Sequence, residues 1–264
     1  MIRTGDDDMA RSTSGESLLS RVVRIYEAFG PDHRAVTLSE LALRSDLPLA
    51  TASRLVNELI EHGWLRRDAQ RRICVGVRMW ELASRAAPTL GLQEAAIPFM
   101  SDLHAAVGNH VQLGVLQERD VLYIERLSAP RAIRNRVRVA GRLPLHATSS
   151  GLVLLAHAPA EMQEAELSRP LTALTRHTIT DPAILRSTLS EIRHTGVAYC
   201  PGFVDEDATG IAVPIRTTGG RVVAALSVLV PNEMTARTAI PALRAAGRGI
   251  SRLLGDTTEV RNIA

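Results

Sequence analysis

The sequence predicts an α+β protein of two parts: an N-terminal winged helix-turn-helix and a C-terminal domain in which helices flank a curved, largely antiparallel sheet. Three observations predict it. Residues 18–62 hold three short runs of helically spaced apolar residues, a basic hairpin follows at once, and beyond residue 110 strand-like and helix-like runs alternate. At 264 residues, with 45% hydrophobic and 22% charged, the chain has the length for two domains and the composition to bury a core in each.

Residues 1–16 are polar and read as a flexible leader, with Met9 a second candidate start. From Leu18 onward Val22, Ile25 and Phe29 recur at helical spacing until Gly30-Pro31. Thr37 and Glu40 have the spacing of a capping box and open a second helix, about Leu38 to Ser45. Asp46-Leu47-Pro48 breaks it. Ala52, Leu55, Val56, Leu59 and Ile60 then form the buried stripe of a third helix, ended by His62-Gly63. Trp64 to Arg67 and Arg72 to Val75 read as the two strands of a wing, and a linker helix runs from Arg78 to Ala86.

The second part opens with a helix carrying Leu92, Ala96, Phe99 and Leu103, followed by strands at Val111–Leu116 and Val121–Arg126. A helix is expected near Ser149 and another from Pro182 to His194, capped by Asp181. Strands at Ile211–Ile215 and Val222–Val230 precede a last helix to about Leu254. The expected limits are a winged domain at 17–77, a linker and boundary at 78–90, an effector and oligomerisation domain at 91–255, and a tail at 256–264.

In a helix-turn-helix the second paired helix enters the major groove. Opposite the buried stripe, a rotation of about 100° per residue places Ala50, Ser53, Arg54 and Asn57, with Thr51 at the margin. Arg54 suits a bidentate contact to guanine and Asn57 a contact to adenine, while Thr51 and Ser53 suit a phosphate or base edge. Arg66, Arg67, Arg71 and Arg72 surround a single Asp68 in the wing and suit phosphates or a minor groove, and Thr37 joins this set at the start of the second helix. A solvated face and a charged hairpin would explain the charges alone. They would not explain three helices of these lengths running into a basic hairpin.

Several function classes are excluded. Net charge is only +3, and all 31 basic residues are arginine, so the case for double-stranded DNA rests on where they fall. No apolar run approaches the roughly 18 residues of a membrane span, and no signal segment opens the chain, which makes the cytoplasm the expected compartment. Cys74 and Cys200 have no metal-ligand spacing and read as buried thiols. No P-loop, dinucleotide fingerprint or zinc spacing is present, so neither metal nor cofactor is expected. An enzyme would need Cys200 or Ser149 as nucleophile with His146, and Asp205 behind Ser149, yet neither nucleophile has a G-x-S-x-G framing. No catalytic residue is assigned.

The residues 38–68, LSELALRSDLPLATASRLVNELIEHGWLRRD, followed by Gly76-Val77-Arg78, carry a resemblance, as do GRLPLHATSSG (141–151), TRHTITDPAILRSTLSEIRHTGVA (175–198) and IAVPIRTTGGRVVAALSV (211–228). Together, in this order and spacing, they resemble the IclR (isocitrate lyase regulator) family of transcriptional regulators. The resemblance implies a winged helix-turn-helix, a linker helix and a GAF-like effector domain. It implies dimers or dimers of dimers that repress or activate from roughly palindromic promoter operators, with organic acids and aromatic catabolites as effectors.

It also implies a pocket lined by Leu143, Leu145, His146, Ala147 and Thr148, by the segment after Val197, and by the strand around Ser227. Amides at Ser149, Ser150 and Gly151 would open a helix there, a ready site for a carboxylate. Ordinary capping and core packing are the plainer reading of His146, Ser149 and Ser150. This sequence departs from the family where Cys200-Pro201 replaces the start of an acidic stretch, where Gly210, before Ile211, replaces a common cysteine, and where Leu229 replaces a small polar residue. Each departure removes a polar group, pointing to a larger or more apolar effector, such as an aromatic or lactone-like metabolite, or to a pocket that no longer answers to a ligand. Arg131, Arg134, Arg136, Arg138 and Arg142 run without an intervening acid. A solvated sheet face or subunit contact is the plainer reading of that run; counter-charge for an acidic effector or a second DNA-facing patch is the functional one.

Overall fold

A computed structural model describes residues 16–256, without 31–32, 87–88, 131, 134 and 136–138. The chain divides into two compact units between Arg85 and Ala86.

The first unit contains α1 (Leu18–Glu27), β1 (Ala35–Val36), α2 (Leu38–Arg44), α3 (Leu49–Glu61), β2 (Leu65–Arg67) and β3 (Ile73–Val75). Ser17 caps α1 by accepting the Ser20 amide at 3.0 Å. The capping box at α2 is complete: Thr37 Oγ1 accepts the Glu40 amide at 3.3 Å, and the Glu40 carboxylate accepts the Thr37 amide at 2.7 Å. Between α2 and α3 the chain turns through Asp46 in the left-handed region, φ 49°, with the Leu47 amide returning to the Ala42 carbonyl. Pro48 then starts α3. The strands pair antiparallel in the order β1-β3-β2. Ile25, Leu41, Leu55, Leu65 and Ile73 are fully buried between helices and sheet, each burial contributing about 1.5–3 kcal/mol.

α4 (Val77–Ala86) spans the division and buries none of its residues. The second unit continues with α5 (Leu90–Val107), β4 (His110–Gln117), β5 (Asp120–Leu127), β6 (Arg142–Pro144), a 3-10 turn (Leu145–Ala147), α6 (Ser149–Ala156), α7 (Ala160–Leu167) and α8 (Pro182–Thr195). It closes with β7 (Ala198–Pro201), β8 (Ala208–Arg216), β9 (Val222–Pro231) and α9 (Ile240–Asp256). The six strands pair antiparallel throughout, in the order β6-β5-β4-β9-β8-β7.

Helices cover both faces of this sheet. Leu92, Met100, Leu243 and Ile250 from α5 and α9 pack on one face, and Leu152, Leu155, Leu185 and Leu189 from α6 and α8 on the other. Two covered faces explain why β9 reads as the nearly unbroken apolar run VVAALSVLV rather than an alternation. All eight residues of α6 are buried, so this helix presents no face to solvent. At its first turn, a Cβ on Gly151 would lie 2.1 Å from the Leu145 carbonyl oxygen, so only glycine lets α6 close onto the preceding turn.

The expected elements are present with ends shifted by a few residues. The sequence reading omitted β1, β6, β7 and α7. β1 and β6 have two and three residues, too few for a periodicity to show, and α7 has almost no amphipathic contrast. The leader expected at 1–16 falls outside the described residues except for Glu16, which is not free: its carboxylate meets Arg24 at 2.7 Å. The expected tail at 256–264 is corrected at one residue, since Asp256 ends α9, and the remainder lies outside the described residues. Of the arginine run, Arg131, Arg134, Arg136 and Arg138 also lie outside them. Arg142 stands on β6 with Glu118 3.8 Å away. No helix among the described residues is long and apolar enough to cross a membrane.

Candidate functional site

On α3, Ala52, Leu55 and Val56 face the core, while Ala50, Arg54 and Asn57 are exposed, with Thr51 and Ser53 half-buried beside them. Arg54 stands 3.7 Å from Glu58 one turn on. An exposed pair of this kind contributes little, so a nucleic-acid group can take Arg54 over.

The wing is ordered by one carboxylate. Asp68 Oδ1 accepts the amides of Gln70 at 3.0 Å and Arg72 at 2.8 Å, and its Oδ2 accepts Arg72 Nε at 2.8 Å. Partial burial raises the Asp68 pKa, but the Arg72 amide, the guanidinium and the Gln70 amide outweigh it and hold the carboxyl below its ordinary value. Arg72 is therefore largely neutralised in place. Arg66, Arg67 and Arg71 remain exposed, Arg71 in the left-handed region at φ 61°. Arg67 reaches back to α3, where its Nη2 donates to Asn57 Oδ1 at 3.3 Å. Thr37, placed in the DNA-facing set by sequence, spends its hydroxyl on Glu40 as both donor and acceptor. It orders α2 rather than offering a free group.

In the second unit the strand registers bring the sequence departures together. Cys200 of β7 stands opposite Gly210 of β8, Gly210 opposite Leu229 of β9, and Leu229 opposite His110 of β4, forming one row across four strands. The first turn of α6 lies over this row, with Ser149 Oγ 2.9 Å from where a Cβ on Gly210 would sit. Between them is a cavity of about 40 Å³, room for roughly three waters.

Of the residues expected at the pocket, Leu143, Ala147, Thr148, Ser149, Cys200, Gly210 and Leu229 line the cavity. Leu145, His146, Ser150, Gly151, Pro201, Ile211 and Ser227 do not, and the reasons are structural. Leu145 and Ile211 are fully buried in the two cores on either side of the sheet, Gly151 packs on the Leu145 carbonyl, and Pro201 pairs with Thr209 at the strand end. Ser150 and Ser227 share a hydrogen bond of 2.9 Å behind the wall. His146 points to Glu166, with Nδ1 3.4 Å from its carboxylate, and Nε2 lies 3.0 Å from the Thr172 carbonyl.

Thr148 caps α6 by accepting the Gly151 amide at 3.0 Å, so of the three amides expected to greet a ligand Gly151 is used internally. Tyr123 is buried, and burial raises its pKa against the lowering effect of the Ser150 and Thr148 hydroxyls. Burial also drives the Cys200 thiol far above its ordinary range.

The sequence reading missed Gln112, Tyr123, Asn135 and Ala208 as lining residues, while Phe203, Val204 and Val228 fall in the expected segment after Val197 and strand around Ser227 without having been singled out. Gln112 is the most informative of them. It is 4% exposed, and its Nε2 has no hydrogen-bond partner among the described residues. A signal existed: His110, Gln112 and Gly114 alternate with Val111, Leu113 and Val115, giving β4 one polar face where a covered sheet calls for two apolar ones. His110 closes the far end of the row, Nδ1 2.9 Å from Ser128 Oγ and Nε2 2.6 Å from the Ile133 carbonyl. On the opposite side, Thr178 donates to the Phe203 carbonyl at 2.7 Å and Thr175 to the Gly202 carbonyl at 2.6 Å, tying down the loop after β7. Asp205 is the one charged side chain among the described lining residues.

Comparison with known proteins agrees with this arrangement in both units. Residues 18–69 match the IclR helix-turn-helix domain, and residues 84–252 match the bacterial transcriptional regulator IclR C-terminal domain. A crystal structure of an IclR homolog from Microbacterium hydrocarbonoxydans, complexed with 4-hydroxybenzoate, superposes with a TM-score of 0.88 at 44% identity, covering 91% of this chain and 100% of that one. An IclR homolog from Microbacterium sp. strain HM58-2 is 41% identical, covering 92% and 99% of the two chains, with a TM-score of 0.61. The Pca regulon regulatory protein of Pseudomonas putida is 28% identical over 95% of this chain and 86% of its own. With both domains matched in order, the chain belongs to the IclR family: it is a transcriptional regulator with an N-terminal DNA-binding helix-turn-helix and a C-terminal effector-binding domain.

Proposed function

We propose that an aromatic metabolite bearing hydrogen-bond acceptors, bound over the row Cys200-Gly210-Leu229-His110, sets the affinity of this regulator for its operator. The observation that carries the proposal is Gln112: a buried donor with no partner among the described residues, in the lining of a cavity. A buried donor left unmade costs about 1–3 kcal/mol, and an acceptor on a ligand recovers it. Tyr123, Leu143, Phe203 and Leu229 supply apolar walls, and the start of α6 at Ser149 favours a carboxylate or carbonyl oxygen. The relative crystallised with 4-hydroxybenzoate supports an arene of this class.

The cavity is too small for an arene as it stands, so binding displaces Phe203 and its loop. That displacement gives the ligand different free energies with the two states of the protein, which any shift in DNA affinity requires. The shift would reach the winged unit through α4. Arg54, Asn57, Thr51 and Ser53 would read the groove, and Arg66, Arg67 and Arg71 would hold phosphates.

The exposed apolar residues Leu18, Leu19 and Val23 of α1 and Val77, Trp80 and Leu82 of α4 support a dimer or a dimer of dimers, matched to a roughly palindromic operator in the cytoplasm. Catalysis is not part of this reading. Both nitrogens of His146 are engaged, so it does not stand free as a base for Cys200 or Ser149.

Thermal unfolding of the full chain with 4-hydroxybenzoate, glyoxylate or pyruvate tests the proposal, since a ligand at a hundredfold excess over its Kd adds about 2.7 kcal/mol. Stabilisation by the arene, diminished in Gln112→Leu, is expected. Stabilisation by glyoxylate or pyruvate alone would overturn the ligand class, and none by any compound would leave a DNA-binding regulator without an effector.

A further inference from the structure

A second concavity lies in the same unit. It is a groove of about 750 Å³ between α9, the end of α8 and the β8-β9 turn. Its lining holds four arginines, Arg216 from β8 and Arg244, Arg248 and Arg252 from α9, and no Asp or Glu among the described residues. The three on α9 recur every fourth residue, which puts them along one face at intervals of about 6 Å.

The way these charges are held is unusual. Arg244 donates to the Thr195 carbonyl at 2.9 Å. Arg216 donates through Nη1 to the Gly220 carbonyl at 3.0 Å, and its Nη2 lies 2.8 Å from His157 Nε2. For that contact to be a hydrogen bond, Nε2 must accept, which leaves the ring proton on Nδ1, 2.9 Å from the Val153 carbonyl, and so a neutral imidazole. Burial and the nearby Arg216 and Arg193 lower the His157 pKa in the same direction. Two arginines are thus fixed in direction by neutral acceptors that leave their charge uncancelled. Arg248 and Arg252 are exposed and make no ion pair among the described residues.

A cation near a helix C-terminus is favourable by itself, worth about 0.3–1 kcal/mol in the last turn. No arginine lies in the last turn of α9. That effect therefore does not explain Arg244, Arg248 and Arg252, which all lie before the last turn, or Arg216, which comes from a strand.

We infer that this groove binds a small polyphosphate-bearing ligand, at a site separate from the effector cavity. Guanidinium forks match phosphate oxygens bidentately, and several in one concavity fit a ligand with several phosphate charges better than a single carboxylate. The concave shape, walled by three segments, favours a small ligand over the convex backbone of a duplex.

Tripolyphosphate titrated into the full-length protein by calorimetry tests this, with sulfate as the single-oxyanion control and a non-operator duplex as competitor. The expected result is saturable binding at one site per chain, with affinity falling at least about tenfold in the double variant Arg248→Ala, Arg252→Ala. Arg119→Ala, an exposed arginine outside the groove, should leave it unchanged. Both substituted side chains are exposed, and an unchanged melting temperature verifies that the variant folds. Equal affinity in variant and parent, or binding no tighter than sulfate, overturns the site. Loss of duplex binding in the double variant without competition by tripolyphosphate assigns the groove to nucleic acid and overturns it as well.

Discussion

Arg67 on the wing donates to Asn57 on the recognition helix, Nη2 to Oδ1 at 3.3 Å, and both side chains are exposed. The bond makes hairpin and helix one surface. The bond uses the Asn57 oxygen and not its amide nitrogen, so on the proposed reading the two residues would meet DNA as a pair.

Arg54 lies outside that pair, and its partner Glu58 holds it only weakly. Arg54→Ala should cost about 1–3 kcal/mol of specific operator binding and leave effector affinity and melting temperature unchanged. Footprinting of the variant on the operator checks the assignment. An unaltered footprint would move base reading to other residues.

Asp68 sets charge against geometry. Removing a carboxylate from a basic wing should strengthen attraction to phosphate, yet Asp68 holds the amides of Gln70 and Arg72 and the Arg72 guanidinium. Geometry should dominate, because a disordered hairpin places no arginine on the backbone. Asp68→Ala is expected to weaken operator binding across a salt series measured by fluorescence anisotropy. Tighter binding at low salt would mean that the wing acts only through its net charge.

The legible part of this molecule was local. Capping chemistry at Thr37 and Glu40, the buried stripe of α3 and the turn at Asp46 depend on residues within a few positions of one another, and all can be read from spacing. The pocket is different. Cys200, Gly210 and Leu229 could be singled out as departures, but only the strand registers put them in one row with His110. Gln112 and Tyr123 come from strands with no motif of their own, and His146 carries a motif-like position while facing a carboxylate on α7. Which way a polar residue faces is a tertiary fact, and on α6 it separated Ser149, at the cavity, from Ser150, behind it.

Two glycines near the cavity should respond differently to the same substitution. In Gly210→Ala the new Cβ meets Ser149 Oγ at 2.9 Å, and a hydroxyl can rotate away, whereas in Gly151→Ala it meets the Leu145 carbonyl oxygen at 2.1 Å, which is backbone. Gly151→Ala should destabilise the fold by about 1–3 kcal/mol or more. Gly210→Ala should leave stability within about 1 kcal/mol while narrowing a cavity that has little room, weakening 4-hydroxybenzoate binding about tenfold. Calorimetry and thermal unfolding on both variants separate the two effects. Undiminished affinity in Gly210→Ala would remove this row from the effector site.

The His146–Glu166 contact predicts a pH signature. Both imidazole nitrogens face acceptors, the Glu166 carboxylate and the Thr172 carbonyl, and only the imidazolium can donate to both. Burial lowers the His146 pKa, but the bonds to Glu166 and Thr172 outweigh it and the net shift is upward; Glu166 is held down chiefly by its bond to His146. For the histidine, raised in the folded state, the stabilisation is complete below its ordinary value of 6.5 and is lost as pH rises through the shifted one. For the glutamate, lowered in the folded state, the stabilisation is present above its ordinary value of 4.5 and is lost as pH falls through the shifted one. The two overlap between pH 4.5 and 6.5, where Glu166→Gln should cost about 1–3 kcal/mol. The cost should shrink above and below that window. Melting temperatures of parent and variant across the pH range test it, and a difference independent of pH would show that the pair holds the turn before α6 by packing rather than by charge.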